Sequence, residues 1–166
     1  MKSINFKNII VNTAIVLLIF FLDRISKNYI INLAEMQNLV DIYLTSYLNL
    51  YLIWNNGIAF GLFSSDVKSF YDLFTLIIII VNIIIIVMII KSNNFTKNFL
   101  LIILGGSFGN LFDRIYYNAV PDFIDLHIGD FHWFIFNVAD IFITIGVICL
   151  IFVEIFYNKG LRNENS

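Results

Sequence analysis

Asp122 in Val120-Pro121-Asp122-Phe123, and Asp140 closing Phe136-Asn137-Val138-Ala139-Asp140, set two carboxylates beside segments apolar enough to span a membrane. A carboxylate at a bilayer loses hydration, so an ionisable residue there is a functional-site candidate by default. Two carboxyl groups within hydrogen-bond reach do not readily both ionise; they hold one proton between them and titrate as a unit. One member then takes a proton from water while the other gives one. Hydrolysis of a peptide bond by activated water needs that combination. Rival nucleophiles are weak: Cys149 sits inside an apolar run, and no serine lies in a G-x-S-x-G setting. His127 and His132 form only an H-x4-H pair, read as interfacial polar residues, so neither a metal nor another cofactor is expected.

The elements that must position these carboxylates follow from composition. The chain has 166 residues, 60% hydrophobic and 13% charged, with one proline, and a mean hydropathy of +0.86. Those values mark an integral membrane protein. The net charge of -2, without a basic run, points away from nucleic acid. Crossing ~30 Å of hydrocarbon takes ~20 helical residues, and stretches at 9–27, 72–90, 98–115 and 135–157 approach that length. A cleaved signal peptide at the N-terminus fits less well, because no small-x-small site follows Lys2 and Lys7. The expected fold is an all-α membrane bundle of four transmembrane helices forming a single domain over 1–166, with a small sheet in the first outer loop.

Six of the ten cations, Lys2, Lys7, Lys91, Lys97, Lys159 and Arg162, lie before the first span, in the short second connection and after the last span. Positive residues stay in the cytoplasm, so both termini are expected there. The two remaining connections then face outward, and Asp23, Asp113 and Asp140 fall at the outer helix ends. From Ile42 to Leu52 apolar residues alternate with Tyr43, Thr45, Tyr47, Asn49 and Tyr51, the periodicity of a strand lying on the membrane surface. Asn55-Asn56-Gly57 reads as a turn closing it.

Two spans carry polar stripes. Gly105 and Gly109 form a G-x-x-x-G pair for close helix approach, while Gly106, Asn110 and Asp113 share a face. Asp113 reads either as part of a site or as helix glue paired with Arg114 or Lys27. Asn137, Asp140 and Thr144 share a face of the last span, which aims Asp140 into the bundle. There it needs a cation, with Arg24, Lys27 and Arg114 nearest by topology, or a carboxyl partner such as Asp122. Asp125 and Asp130 rival Asp122 on physical grounds alone.

Asp23-x-x-Ser26-Lys27, Asn55-Asn56-Gly57-Ile58-Ala59-Phe60, Gly109-Asn110-Leu111-Phe112-Asp113-Arg114, Val120-Pro121-Asp122-Phe123 and Phe136-Asn137-Val138-Ala139-Asp140 together resemble the ordered motifs of lipoprotein signal peptidase, or signal peptidase II. The resemblance runs from Asp23 to Gly146. It implies a bacterial inner-membrane aspartyl endopeptidase that cuts diacylglyceryl-modified prolipoproteins before the lipid-bearing cysteine at the extracytoplasmic face. It ranks Asp122 with Asp140 as the catalytic dyad. It also implies that Asp23, Lys27, Asn55, Gly106, Asn110, Arg114 and Asn137 support the dyad or bind substrate. The first outer loop resembles the family's extracytoplasmic cradle, and Pro121, Trp54 and Phe134 depart from its common residues. The expected partners are a prolipoprotein signal peptide and membrane lipid, with the enzyme a monomer. A small proton-coupled transporter and a noncatalytic scaffold are the competing classes, since buried aspartates also serve proton relays and small-residue stripes also serve packing.

Overall fold

A computed structural model of the chain describes residues 6–37, 39–56, 67–92 and 94–157. Its elements are α1 (Phe6–Gln37), β1 (Asp41–Thr45), β2 (Leu48–Asn55), α2 (Val67–Lys91), α3 (Asn94–Tyr117), β3 (Val120–Ile128), β4 (Phe131–Phe136) and α4 (Val138–Phe152), which continues as a π-helical turn over Val153–Tyr157. The described residues include four helices long and apolar enough to cross a membrane. The protein is a multi-pass membrane protein with a small antiparallel sheet.

The central helix is α3, which packs against α1, α2 and α4. Its Leu100, Ile103 and Leu104 are buried with Ile85 of α2, and Val16, Ile143 and Leu150 close around them. The outward faces of α1, α2 and α4 remain covered with exposed isoleucine, leucine and valine, as a surface solvated by lipid requires. The G-x-x-x-G pair turns toward α1. A Cβ at Gly105 would stand 2.8 Å from the Ile19 Cβ, and one at Gly109 would run into the Asp23 carboxylate. Gly106 faces α4 instead, where a Cβ would lie 2.6 Å from the Ala139 carbonyl oxygen. Adjacent glycines thus bring two different helices against α3.

At 32 residues α1 is longer than the stretch 9–27 expected from hydropathy. At ~1.5 Å per residue it spans about 48 Å, well beyond the hydrocarbon thickness. The excess is explained by docking. Ile30, Leu33 and Ala34 pack with Val40, Ile42, Leu50, Leu52 and Phe123 in a second core between α1 and the sheet.

The sheet is larger than the sequence suggested. It has four strands in the order β1-β2-β3-β4, so the connection between α3 and α4 supplies half of it. The alternating stretch Ile42 to Leu52 is not one strand: it folds back between Thr45 and Leu48 into a β1–β2 hairpin, with Ile42 opposite Leu50. Ser46 interrupts the apolar alternation at the turn, but Leu44 and Leu48 keep the same phase on either side of it, which is why periodicity alone missed it. Ile135 and Phe136, placed in the last span by hydropathy, belong to β4, where Phe136 pairs with Ile124. Helix α4 begins at Val138 because Asn137 caps it, and the Asn137/Asp140 pair forms a capping box. Gly129, at φ 56°, starts the two-residue turn between β3 and β4. Asn118, also at φ 56°, terminates α3 just before β3.

Candidate active site

β3 runs from the end of α3 past the head of α4, so its Asp122 meets the α4 N-terminus. Asn137 Nδ2 donates to Asp122 Oδ1 at 2.6 Å, and Asn55 Nδ2, from the end of β2, donates to Asp122 Oδ2 at 2.9 Å. Asn137 also holds the other carboxylate. Its backbone N–H donates to Asp140 Oδ2 at 3.1 Å, while its Oδ1 accepts from the Asp140 backbone N–H at 3.1 Å. Asn110 Nδ2 donates to the remaining Asp140 oxygen at 2.7 Å. One residue thereby spans the two aspartates, and all four carboxylate oxygens receive a donor.

Asp122 is 3% exposed. Burial pushes its pKa up to about 6; the hydrogen bonds from Asn137 and Asn55 oppose the rise, and the nearby Asp140 charge adds to it. That value fits a group that keeps a proton available near neutral pH.

A buried ion cluster supports Asp140 from behind. Lys27 Nζ donates to Asn110 Oδ1 at 2.8 Å, to Asp113 Oδ2 at 2.7 Å and to Asp23 Oδ2 at 3.0 Å. Because Lys27 claims the Asn110 oxygen, the Asn110 amide must turn its NH2 toward Asp140. Arg24 Nη2 bonds both Asp113, at 2.7 Å, and Asp23, at 2.9 Å. Two cations meet two carboxylates, so the cluster is neutral, as burial demands. Asp23 makes a further link: its Oδ1 accepts from the Ala139 N–H at 3.0 Å, satisfying a free donor at the start of α4.

Thus Asp122, Asp140, Asp23, Lys27, Asn55, Asn110 and Asn137 form one connected network, and Gly106 contributes the close α3–α4 contact. Arg114 stands apart from the dyad among the described residues. Its guanidinium lies over the Tyr71 ring, 5.6 Å from the centroid, with Nε and Nη1 buried and without hydrogen-bond acceptors. Asp113 pairs with Lys27 and Arg24 rather than Arg114. Residues 57–60 of the asparagine-glycine motif lie outside the described residues.

Asp125, three positions along β3, projects away from Asp122 and meets His132. Asp130 occupies the exposed turn. Neither rival faces Asp140. The shared helical face predicts an inward Thr144 side chain, but it is exposed, because Ile143, Gly146 and Leu150 are the residues of α4 that turn toward α3. It lines, with Asp140, Ile141, Ile145 and Trp133 to Phe136, an open groove of about 570 Å³ whose walls are nearly all apolar. Sequence reasoning offered Arg24 as a cation for Asp140, whereas it pairs with Asp113 and Asp23, and it missed Asn137 as a cap. The Asn137-x-x-Asp140 spacing before an apolar run was the available signal for the latter.

Residues 15–156 match the family model described as signal peptidase (SPase) II. The chain belongs to the signal peptidase II family. Signal peptidase II relatives include the lipoprotein signal peptidase of Pelagibacter ubique (strain HTCC1062), 55% identical over 166 residues and covering all of both chains. That of Anaplasma marginale (strain Florida) is 37% identical over 161 residues, covering 96% of this chain and 93% of the relative. Among solved structures, a bacterial membrane enzyme determined by the in meso method at 1.9 Å resolution aligns with a TM-score of 0.75 at 28% identity, covering 88% of this chain and 93% of the other. A second, at 2.3 Å resolution, aligns at 0.69 with 31% identity and covers 87% of each chain. As a signal peptidase II, the protein is a protease with the membrane bundle and small sheet described above.

Proposed function

We propose that this protein is an aspartyl endopeptidase that removes signal peptides from diacylglyceryl-modified prolipoproteins, cutting before the lipid-bearing cysteine. The observation that carries the mechanism is the Asn137 bridge, which ties Asp122 to Asp140 and leaves both on a single hydrogen-bonded unit. Family membership supports the substrate class.

Asp140, half-buried at the end of the apolar groove, acts as the base: it takes a proton from water as the water oxygen attacks the scissile carbonyl. Asp122, with its raised pKa, gives its proton to the carbonyl oxygen. Collapse of the resulting gem-diol returns a proton to Asp122, and the proton held by Asp140 goes to the leaving nitrogen. Both carboxyls finish in their starting states. The unpaired donors of Arg114 suit a substrate carbonyl. The groove suits an apolar signal-peptide segment arriving from the bilayer, with the acyl chains left in lipid.

The short cation-bearing segments support cytoplasmic termini, and the sheet and dyad then lie at the extracytoplasmic face of the bacterial inner membrane. A monomer contains every residue of this mechanism. Purified protein in detergent should cleave a diacylglyceryl prolipoprotein and leave its unlipidated precursor intact. Failure to cleave the lipidated form contradicts the reading.

A further inference from the structure

The side of β3 away from Asp122 carries a second cluster with chemistry of its own. Asp125, His127 and His132 offer one ligand atom each, all within 4.8 Å of one another. His132 Nδ1 stands 2.8 Å from Asp125 Oδ2, and His127 Nδ1 stands 3.6 Å from the same oxygen. Zinc held at ~2.0–2.1 Å by tetrahedral ligands places those ligands about 3.3–3.5 Å apart. The two observed separations bracket that spacing, so small side-chain rotations suffice to admit the ion.

Two of these residues also carry buried polar atoms without partners. Asp125 is 1% exposed and His127 8% exposed, yet Asp125 Oδ1 and His127 Nδ1 have no hydrogen-bond partner. A simple Asp125–His132 hydrogen bond accounts for neither atom. Asn49, opposite Asp125 in the β2–β3 ladder, also has a buried, unpartnered Oδ1. Asn49, Asp125 and His132 line a cavity of about 360 Å³ together with Asp41. The His132 side chain, 55% exposed, leaves an entry path.

We propose that Asp125, His127 and His132 form a binding site for a divalent transition metal of the zinc class, with a fourth position open to water. Two imidazoles and a carboxylate are a donor set suited to such ions, and H-x4-H became one only when folding brought Asp125 between the histidines. The ion joins β3 to β4 across the His127–His132 pair. Those strands carry Asp122 and lead into Asn137 and Asp140, so the metal braces the sheet edge that positions the dyad.

The test uses the full-length protein in detergent, stripped with a chelator, then titrated with zinc chloride by calorimetry and followed by thermal unfolding. The expected result is one zinc per chain and a raised Tm. His132→Ala, an exposed position whose loss leaves the core intact, should weaken binding at least about tenfold and abolish the Tm shift, with Asp125→Asn doing the same. Asp122→Asn and Asp140→Asn should bind zinc as the wild type does. Absence of stoichiometric zinc binding, binding unchanged in His132→Ala, or binding lost in the dyad variants overturns the proposal.

Discussion

Asn137 and Asp140 hold each other reciprocally: the Asn137 N–H donates to Asp140 Oδ2 and the Asp140 N–H donates to Asn137 Oδ1, both at 3.1 Å. The device that starts α4 is therefore the device that orients one member of the proposed catalytic pair. Helix capping and catalytic geometry share the same atoms, and the Asn137 amide reaches on to Asp122.

Asn137→Ala removes the bridge and the cap together. Loss of the cap should lower stability by about 1 kcal/mol, read from denaturant unfolding. Activity should fall much further, by about a hundredfold in kcat, because Asp122 loses the amide that fixes it beside Asp140, while the backbone N–H of residue 137 still holds the Asp140 carboxylate. A drop in activity no larger than the stability change explains would contradict the bridging role.

The pKa of about 6 at Asp122 sets a pH limit. The proton donor is lost as pH rises through that value, so kcat/KM of the free enzyme should show a descending alkaline limb near pH 6. Asn55 donates to the charged form and thereby holds the pKa down. Asn55→Ala should move the limb to higher pH, and a shift in the opposite direction would contradict the assignment.

The same shift acts on stability. The folded state holds the Asp122 proton more tightly than the unfolded chain, whose carboxyl titrates near 3.8. Ionisation therefore weakens the fold as pH rises from about 4 through about 6. The Tm of the wild type should fall relative to Asp122→Asn across that window, as scanning calorimetry in detergent can measure.

Lys27 meets both Asp23 and Asp113 with its side chain fully buried. Lys27→Met leaves those carboxylates with Arg24 alone and should destabilise the protein by about 3–5 kcal/mol. Adding Asp113→Asn restores charge balance and should recover part of that loss in chemical denaturation. Failure of the second change to help would show that the cluster is not balanced by charge.

Much of this was legible in the chain. Four apolar stretches and the polar stripe of α3 follow from hydropathy and helical spacing, and the ordered motifs named the Asp122/Asp140 pair. What escaped depends on pairing across long separations. The break between β1 and β2 is hidden because the alternation keeps the same phase on both sides of Ser46. The end of β4 reads as part of the last span because Ile135 and Phe136 are as apolar as the helix that follows. Arg24 joins Asp113 from 89 positions away, and Asp125 meets His132 only through the β3–β4 hairpin. Local patterns carry no information about such meetings.

The most direct measurement is turnover of a diacylglyceryl prolipoprotein by purified wild type, Asp122→Asn, Asp140→Asn and, as a control in the exposed turn, Asp130→Asn. The isosteric amides keep shape and remove proton exchange. Both dyad variants should remain folded and lose at least about a thousandfold in kcat, while Asp130→Asn cleaves like the wild type. Cleavage at the wild-type rate by either dyad variant would contradict the two-aspartate mechanism.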